Sequence, residues 1–314
     1  MYNARLLRHK AESALAHAIL GFLGWVPRPL GRCLAAFTAI LIQWLVPRYR
    51  RVAHRNLRLA MPQLTTAERR RLVRGIYLNL GRMLAEFAHF PDYTRENVSR
   101  TVTYDGFENY AEAVGRGRGV LFLTAHLSAW ELGAFAQSIY GYPLSVVIRA
   151  LDNPLINELV NRYRMLGGNR IIEKRDFLRG ILEALKNNET VGILMDQNAS
   201  PQEGVFVEFF GRPACTSAGM AKIALRTDAA VVPAFTIWDA DRKRYRIRFD
   251  PPLELIRTGD NGADVTANTQ LLTSVLEKYI RSYPDQWLWI HRRWKTRRPA
   301  SRRCIKLWAV GCGL

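Results

Sequence analysis

The sequence predicts an α/β fold in which helices cover a central sheet, preceded by apolar helices at the N-terminus, and three observations predict it. Short apolar runs of strand length recur beyond residue 100: Val120 to Thr124, Ser145 to Arg149, Val191 to Met195, Val231 to Thr236 and Tyr245 to Phe249. Runs this short, bounded by glycine, proline or polar residues, read as buried strands. Segments of helical spacing lie among them, near Asn109 to Val114, Leu155 to Leu166, Phe177 to Asn187, Gly219 to Arg226 and Val265 to Ser282. That alternation puts helices on the faces of a sheet. The N-terminal residues carry no such alternation and consist of two apolar stretches followed by a cluster of arginines.

Taken in order, Ala14 to Val26 is apolar behind Arg5, Arg8 and Lys10, as the core of a signal peptide is, but no A-x-A cleavage site follows and Pro27-Arg28-Pro29 interrupts instead. The second stretch, Cys33 to Val46, is shorter than the ~20 residues a simple membrane span needs. Two such helices together cross a bilayer, enter it part-way, lie in its interface, or form a soluble core hairpin; the sequence leaves these open. Residues 1–50 are therefore expected to be membrane-associating helices, 51–300 an α/β domain and 301–314 a basic and apolar tail. Thr65-Thr66-Ala67-Glu68 starts a helix with Glu68 near its positive end, and Leu72, Ile76, Leu80, Leu84 and Phe87 carry the helical spacing to about His89. There is no internal repeat and no low-complexity segment.

Composition narrows the partners. The 314 residues are 48% hydrophobic, enough for a sizeable core, which excludes a disordered or fibrous chain. Lys and Arg number 46 against 27 Asp and Glu, a formal charge of +19, so the expected partner is anionic. The bases concentrate in two places that hold no carboxylate. One comprises Arg48, Arg50, Arg51, Arg55 and Arg58, directly after the second apolar stretch. The other comprises Arg292, Arg293, Lys295, Arg297, Arg298, Arg302, Arg303 and Lys306. Trp25 and Trp44 frame the first, and Trp287, Trp289, Trp294 and Trp308 the second. An apolar stretch with Trp at its border and Arg beside it suits a membrane interface, where each base near an anionic leaflet contributes about 1 kcal/mol. A solvated basic face or a nucleic-acid groove with stacking aromatics accounts for the bases too. The membrane reading is preferred over nucleic acid because only a membrane explains the adjacent apolar segment. The bases after that segment put its C-terminal side in the cytoplasm. Cys33, Cys215, Cys304 and Cys312 have no metal-ligand or C-x-x-C spacing, which points to a reducing compartment.

Chemistry concentrates in Thr124-Ala125-His126-Leu127-Ser128-Ala129-Trp130-Glu131-Leu132-Gly133. A histidine with a carboxylate is the smallest pair that can take a proton from a hydroxyl near neutral pH and hold the resulting imidazolium. On a continuous helix a five-residue offset turns through roughly 500°, so the pair works only if His126 lies outside the helix, at the carboxyl end of the preceding strand, where open α/β sheets bind ligands. The structural alternative is Ser128 as N-cap with Glu131 at the capping-box position, which needs no substrate. Arg149 ends a strand before Asp152-Asn153-Pro154, and Arg164 shares a helical stripe with Asn157 and Asn161; both suit phosphate or thioester-oxygen recognition. Asp196-Gln197 follows a strand at its carboxyl end. Phe210 and Gly211, within Gly204 to Pro213, are candidates to line an acyl slot, with ordinary core packing as the alternative.

The order of these blocks, His-x-x-x-x-Glu, then Arg-x-x-Asp-Asn-Pro, Gly-Ile-Leu-Met-Asp-Gln, Phe-Phe-Gly-Arg-Pro-Ala, Val-Val-Pro and Trp287-Leu288-Trp289-Ile290-His291-Arg292-Arg293-Trp294-Lys295, closely resembles the bacterial lipid A biosynthesis acyltransferases of the lauroyl and myristoyl type. The resemblance runs from about Val52 to Arg298. It implies a mixed central sheet with helices on both faces, of the glycerolipid acyltransferase kind, in an enzyme on the cytoplasmic face of the bacterial inner membrane. The enzyme would move a fatty acyl chain from an acyl carrier protein thioester, or from acyl-CoA, to a hydroxyl of an anionic membrane glycolipid, and would need no cofactor. It further implies His126 as general base, Glu131 as its orienting carboxylate and Arg164 as an arginine needed for activity, with Arg149 and Asp196 as further site residues. No serine or cysteine is paired with the base, so direct transfer without an acyl-enzyme is expected. One departure stands inside the motif: Ser128-Ala129 occupies the place where the family usually has Gly-Asn, which leaves the acceptor open. A lysophospholipid or aminolipid acyltransferase would use the same pair, and a basic membrane-binding protein without catalysis would use neither residue.

Overall fold

The computed structural model describes residues 2–173 and 177–298, so the expected tail lies outside the described residues. In chain order the elements are α1 (Tyr2–Trp25), α2 (Arg28–Leu45), α3 (Pro47–Ala60), α4 (Thr66–Ala88), β1 (Val102–Asp105), α5 (Phe107–Gly115), β2 (Val120–Thr124), α6 (Trp130–Ile139), β3 (Leu144–Ile148) and α7 (Pro154–Met165). There follow β4 (Arg170–Glu173), α8 (Phe177–Lys186), β5 (Thr190–Leu194), β6 (Gly204–Phe209), β7 (Arg212–Ser217), α9 (Gly219–Thr227), β8 (Ala230–Asp239), β9 (Arg244–Phe249) and α10 (Asn261–Ser282).

The main sheet runs β1-β9-β8-β2-β5-β3-β4. Its pairs are parallel except β8 with β9, so β1 and β9 run against the other five strands and the sheet is mixed. β2 lies at the centre and is apolar from Val120 to Leu123 because both of its faces are covered. Alternate residues serve two core layers. Val120 and Phe122 pack with Tyr110 of α5 and Leu132 and Phe135 of α6. Leu121 and Leu123 pack with Ile181 of α8, Ile223 of α9 and Leu276 of α10.

The N-terminal helices rest on this body. α4 begins with a capping box in which Glu68 N donates to Thr65 Oγ1 at 3.2 Å and Thr65 N donates to Glu68 Oε2 at 2.7 Å. Against α4 lies α2, so close at Gly81 that a Cβ there would stand 2.7 Å from the Ala35 carbonyl oxygen. α1 is tied to the start of α7, where Asn153 Nδ2 donates to His9 O at 3.0 Å. The outward sides of α1 and α2 keep large apolar residues in the open, among them Phe22, Trp25, Phe37, Trp44 and Leu45. Among the described residues no single helix is long and apolar enough to cross a membrane; α2 and α3 together meet that length and composition, bent at 88°.

The five strands expected from apolar runs form within a residue or so of the expected places, β8 being longer. Two edge strands give no such signal: β1 and β4 span four residues each, pair on one side only and carry charge. Between β5 and β8 the chain builds an antiparallel hairpin of β6 and β7 that stands outside the main sheet.

Candidate active site

Parallel pairing of β2 with β5 aligns Thr124 with Leu194, and Met195 N donates to Thr124 O at 3.1 Å. Two residues past that register stand His126 and Asp196, which the sheet therefore sets side by side. Asp196 is fully buried and accepts three hydrogen bonds: from His126 Nδ1 at 2.8 Å, from the His126 backbone N at 3.1 Å and from Trp287 Nε1 at 2.7 Å. The loop carrying His126 is also clamped from outside, since Ser128 N donates to Gln286 O at 2.7 Å and Leu288 N to His126 O at 3.0 Å.

Electrostatics fix the tautomer. Burial opposes charge on Asp196, but the imidazole beside it, by charge and by hydrogen bond, with help from His291 and Trp287, holds its carboxyl well below the usual range. An ionised Asp196 can only accept, so Nδ1 of His126 carries the proton and Nε2 presents its lone pair. Burial lowers the affinity of His126 for a second proton, but the charge and hydrogen bond of Asp196, with the charge of Glu131, outweigh it and raise the pKa above 6.5. Neighbouring His291 goes the other way, lowered chiefly by burial. Its Nδ1 donates to Leu288 O at 2.7 Å.

Two apolar cavities flank His126 on opposite faces of the sheet. Gln197, whose Nε2 lies 3.3 Å from His126 Nε2, is in the wall of a cavity of about 390 Å³ with Arg149, Phe177, Ile193 and Met195. Trp130, whose ring sits edge-on to the imidazole at 5.0 Å, is in the wall of a narrower cavity between the sheet and α6. Phe122, Val146, Gly192 and Ile247 line that second cavity, together with Glu131 and Arg164.

Several expectations need correction. The carboxylate that orients His126 is Asp196; Glu131 lies in the first turn of α6 and accepts a two-pronged ion pair from Arg164 of α7, at 2.8 Å from Nε and 2.5 Å from Nη2. The reason is the register: the strand next to β2 delivers a carboxylate directly to the imidazole, which leaves the helix-borne one to the neighbouring helix. Ser128 does not cap α6. Its φ of 52° is left-handed and its hydroxyl is buried without a partner among the described residues, while Ala129 holds the cap position with no side-chain bond. Phe210 and Gly211 line neither cavity. With φ of 55° and 66° they make the two-residue turn between β6 and β7, as a type I′ hairpin requires. Phe210 packs beside Trp289 and its N donates to Glu277 Oε2 at 2.6 Å. Arg149 is exposed and pairs loosely with Asp152 at 3.6 Å. The support from Trp287 and Gln286 was missed in the sequence; the Trp287-Leu288-Trp289 block was its one visible signal.

The arrangement can take a proton at Nε2, stabilise the resulting imidazolium through a buried carboxylate, and hold apolar chains on either side. Known proteins resemble this chain over most of its length. The family model of the bacterial lipid A biosynthesis acyltransferases matches residues 3–296. The chain is 30% identical over 284 residues to the lipid A biosynthesis lauroyltransferase of Escherichia coli (strain K12), covering 90% of this chain and 91% of that one. It is 29% identical to the lipid A biosynthesis palmitoleoyltransferase of the same strain, covering 87% and 88%, and 26% identical to its lipid A biosynthesis myristoyltransferase, covering 80% and 76%.

Proposed function

The chain belongs to the bacterial lipid A biosynthesis acyltransferase family and is an acyltransferase, and from that premise we propose that it moves a fatty acyl chain from a thioester to a hydroxyl of a lipid A precursor with His126 as general base. The observation that carries the reading is the bond from His126 Nδ1 to buried Asp196, which leaves Nε2 beside two apolar cavities. The acceptor O–H gives its proton to Nε2 as its oxygen attacks the thioester carbonyl. The tetrahedral adduct then collapses, the C–S bond breaks, and the imidazolium returns the proton to the departing sulfur. Asp196 stabilises the imidazolium, and Glu131 with Arg164 holds α6 against α7 beside the narrow cavity. That cavity has a volume of about 70 Å³ and must widen to take the transferred chain, which its mainly apolar wall, closed by the sheet on one side, suits. Direct attack in a ternary complex is the expected order.

The donor is acyl carrier protein or acyl-CoA, both anionic, which the charge of +19 attracts. The apolar residues left in the open on α1 and α2, with the arginines of α3 beside them, support attachment to the cytoplasmic face of the bacterial inner membrane. The test is acyl transfer in detergent micelles, offering labelled acyl carrier protein thioester or acyl-CoA with a lipid A precursor or a lysophospholipid, for wild type and His126→Ala. Label on the lipid A precursor that vanishes in the variant upholds the reading. Label on the lysophospholipid alone moves the enzyme to another acceptor, and transfer to neither overturns it.

A further inference from the structure

The two arginine-rich clusters of the sequence, more than two hundred residues apart, come together in one cavity. Its volume is about 420 Å³, and its walls hold Arg48, Arg51 and Arg55 from α3 and Arg292, Lys295 and Arg297 from the segment after Trp289. Asn56 joins the two sides by donating from Nδ2 to Trp289 O at 2.7 Å and to His291 O at 2.6 Å. Among the described residues no carboxylate lines the cavity, and its remaining walls are Val52, Leu59, Asn56 and Trp294. Six cations gathered around one concavity repel one another, an arrangement that costs stability unless an anion occupies it.

Position assigns the anion. Thr296, between Lys295 and Arg297, exchanges two hydrogen bonds with Asn198: Thr296 N to Asn198 Oδ1 and Asn198 Nδ2 to Thr296 Oγ1, both 3.0 Å. Asn198 itself lines the larger cavity beside His126. The Thr296–Asn198 contact thus ties the segment that lines the basic cavity to the wall of the reaction cleft. On its other side the cavity adjoins α3, which follows directly on the exposed apolar end of α2 at Trp44 and Leu45. A ligand whose acyl chains lie along that apolar face and whose hydroxyl reaches His126 would place its headgroup here.

We propose that this cavity binds the phosphate groups of the glycolipid acceptor and so sets which hydroxyl meets His126. The inference rests on the reading of function given above and deepens it. Its concave shape favours a compact headgroup over the convex helix face of an acidic carrier protein.

The test compares a phosphorylated glycolipid acceptor with the same lipid after phosphatase treatment, in zwitterionic micelles with one fixed acyl donor. Arg51 and Lys295 are exposed, so Arg51→Gln/Lys295→Gln is expected to fold normally. Loss of two charge-assisted contacts should raise KM for the phosphorylated acceptor about tenfold with kcat within about twofold, leave the dephosphorylated acceptor unaffected, and be restored by Arg51→Lys/Lys295→Arg. Equal wild-type KM for the two acceptors, or a loss on both alike, overturns the site. So does a rise confined to KM for the acyl carrier protein, or a deficit present only when phosphatidylglycerol is added to the micelles. If wild type transfers to neither acceptor, the reading of function falls, and binding of the phosphorylated glycolipid to the micellar enzyme decides the site by itself. Binding that the double variant weakens upholds it; binding indifferent to phosphate or to the variant overturns it.

Discussion

Asp196 accepts a hydrogen bond from His126 at 2.8 Å although seventy positions separate them, because both stand two residues beyond a register pair of β2 and β5. The carboxylate is fully buried and its other contacts are also donors, so it acts as an acceptor that anchors the imidazole, the loop that carries it and the Trp287 indole. His126→Ala should lower kcat by about a thousandfold, the range for loss of a general base. Asp196→Asn, which removes the charge and no longer imposes the tautomer, should cost about a hundredfold or more. Near-normal turnover in either variant, measured with purified protein of unchanged circular dichroism, would falsify the assignment.

The pH profile follows with a definite sign. His126 acts as a base only when neutral, so kcat/KM should rise with pH through its pKa, which Asp196 holds above 6.5. In Asp196→Asn the larger raising influences are gone and only the Glu131 charge is left to oppose burial and the Arg164 charge, which lower the value. The acid limb should therefore move to lower pH even as the maximum falls. An acid limb that stays in place would assign the titration to another group.

Glu131 and Arg164 form a pair whose side chains are 16% and 17% exposed, and each loses its counter-charge when the other is cut away. Glu131→Ala and Arg164→Ala should each lower thermal stability by more than half of what the double variant loses, with a coupling of about 1–2 kcal/mol. Strict additivity in a double-mutant cycle would show that the pair does not join α6 to α7.

How much of this was legible depends on whether a feature is local. β2 announces itself because both faces are buried and its first four residues are apolar, and α4 because its capping box lies within four consecutive residues. His126 and Asp196 were each visible as strand-end residues, but their pairing was not, since strand order is set by the packing of whole elements. Glu131, only five positions from His126, drew the carboxylate role through sequence proximity, and Arg164 then proved to be its partner across two helices. The Phe210-Gly211 turn was misread for a related reason: an aromatic before glycine suits a slot, and only the pairing of Phe209 with Arg212 shows a hairpin tip. The two arginine clusters were legible separately, while their shared cavity depends on Asn56 reaching across to Trp289.

Chain-length preference should respond to Gly192. It lies in β5 on the wall of the narrow cavity, and a Cβ added there would meet nothing within 4 Å. Gly192→Leu therefore meets no clash at its Cβ and fills space otherwise open to the acyl chain. It is expected to shift preference toward donors shorter by about two to four carbons. Competition between thioesters of graded length would measure the shift. An unchanged preference would remove this cavity as the acyl slot.

The exposed side of α2 offers a separate test of attachment. Its buried face is small, with Gly31, Ala35 and Ala39 toward α4, whereas Phe37, Leu41, Trp44 and Leu45 point away and Phe37 is 70% exposed. A helix that merely completed a soluble core would not leave its largest apolar residues outward. Arg50 lies over the Trp44 ring at 4.7 Å, at the border between that apolar side and the arginines of α3, an arrangement suited to headgroup depth. Phe37→Glu with Trp44→Ala removes two large apolar contacts, together worth about 3 kcal/mol of interfacial burial, so partition onto anionic vesicles should fall by about a hundredfold. Circular dichroism should not change, because neither side chain belongs to the core. Co-sedimentation with vesicles that survives the double substitution would mean that the basic surface alone holds the protein to the bilayer, and raising the ionic strength should then release it.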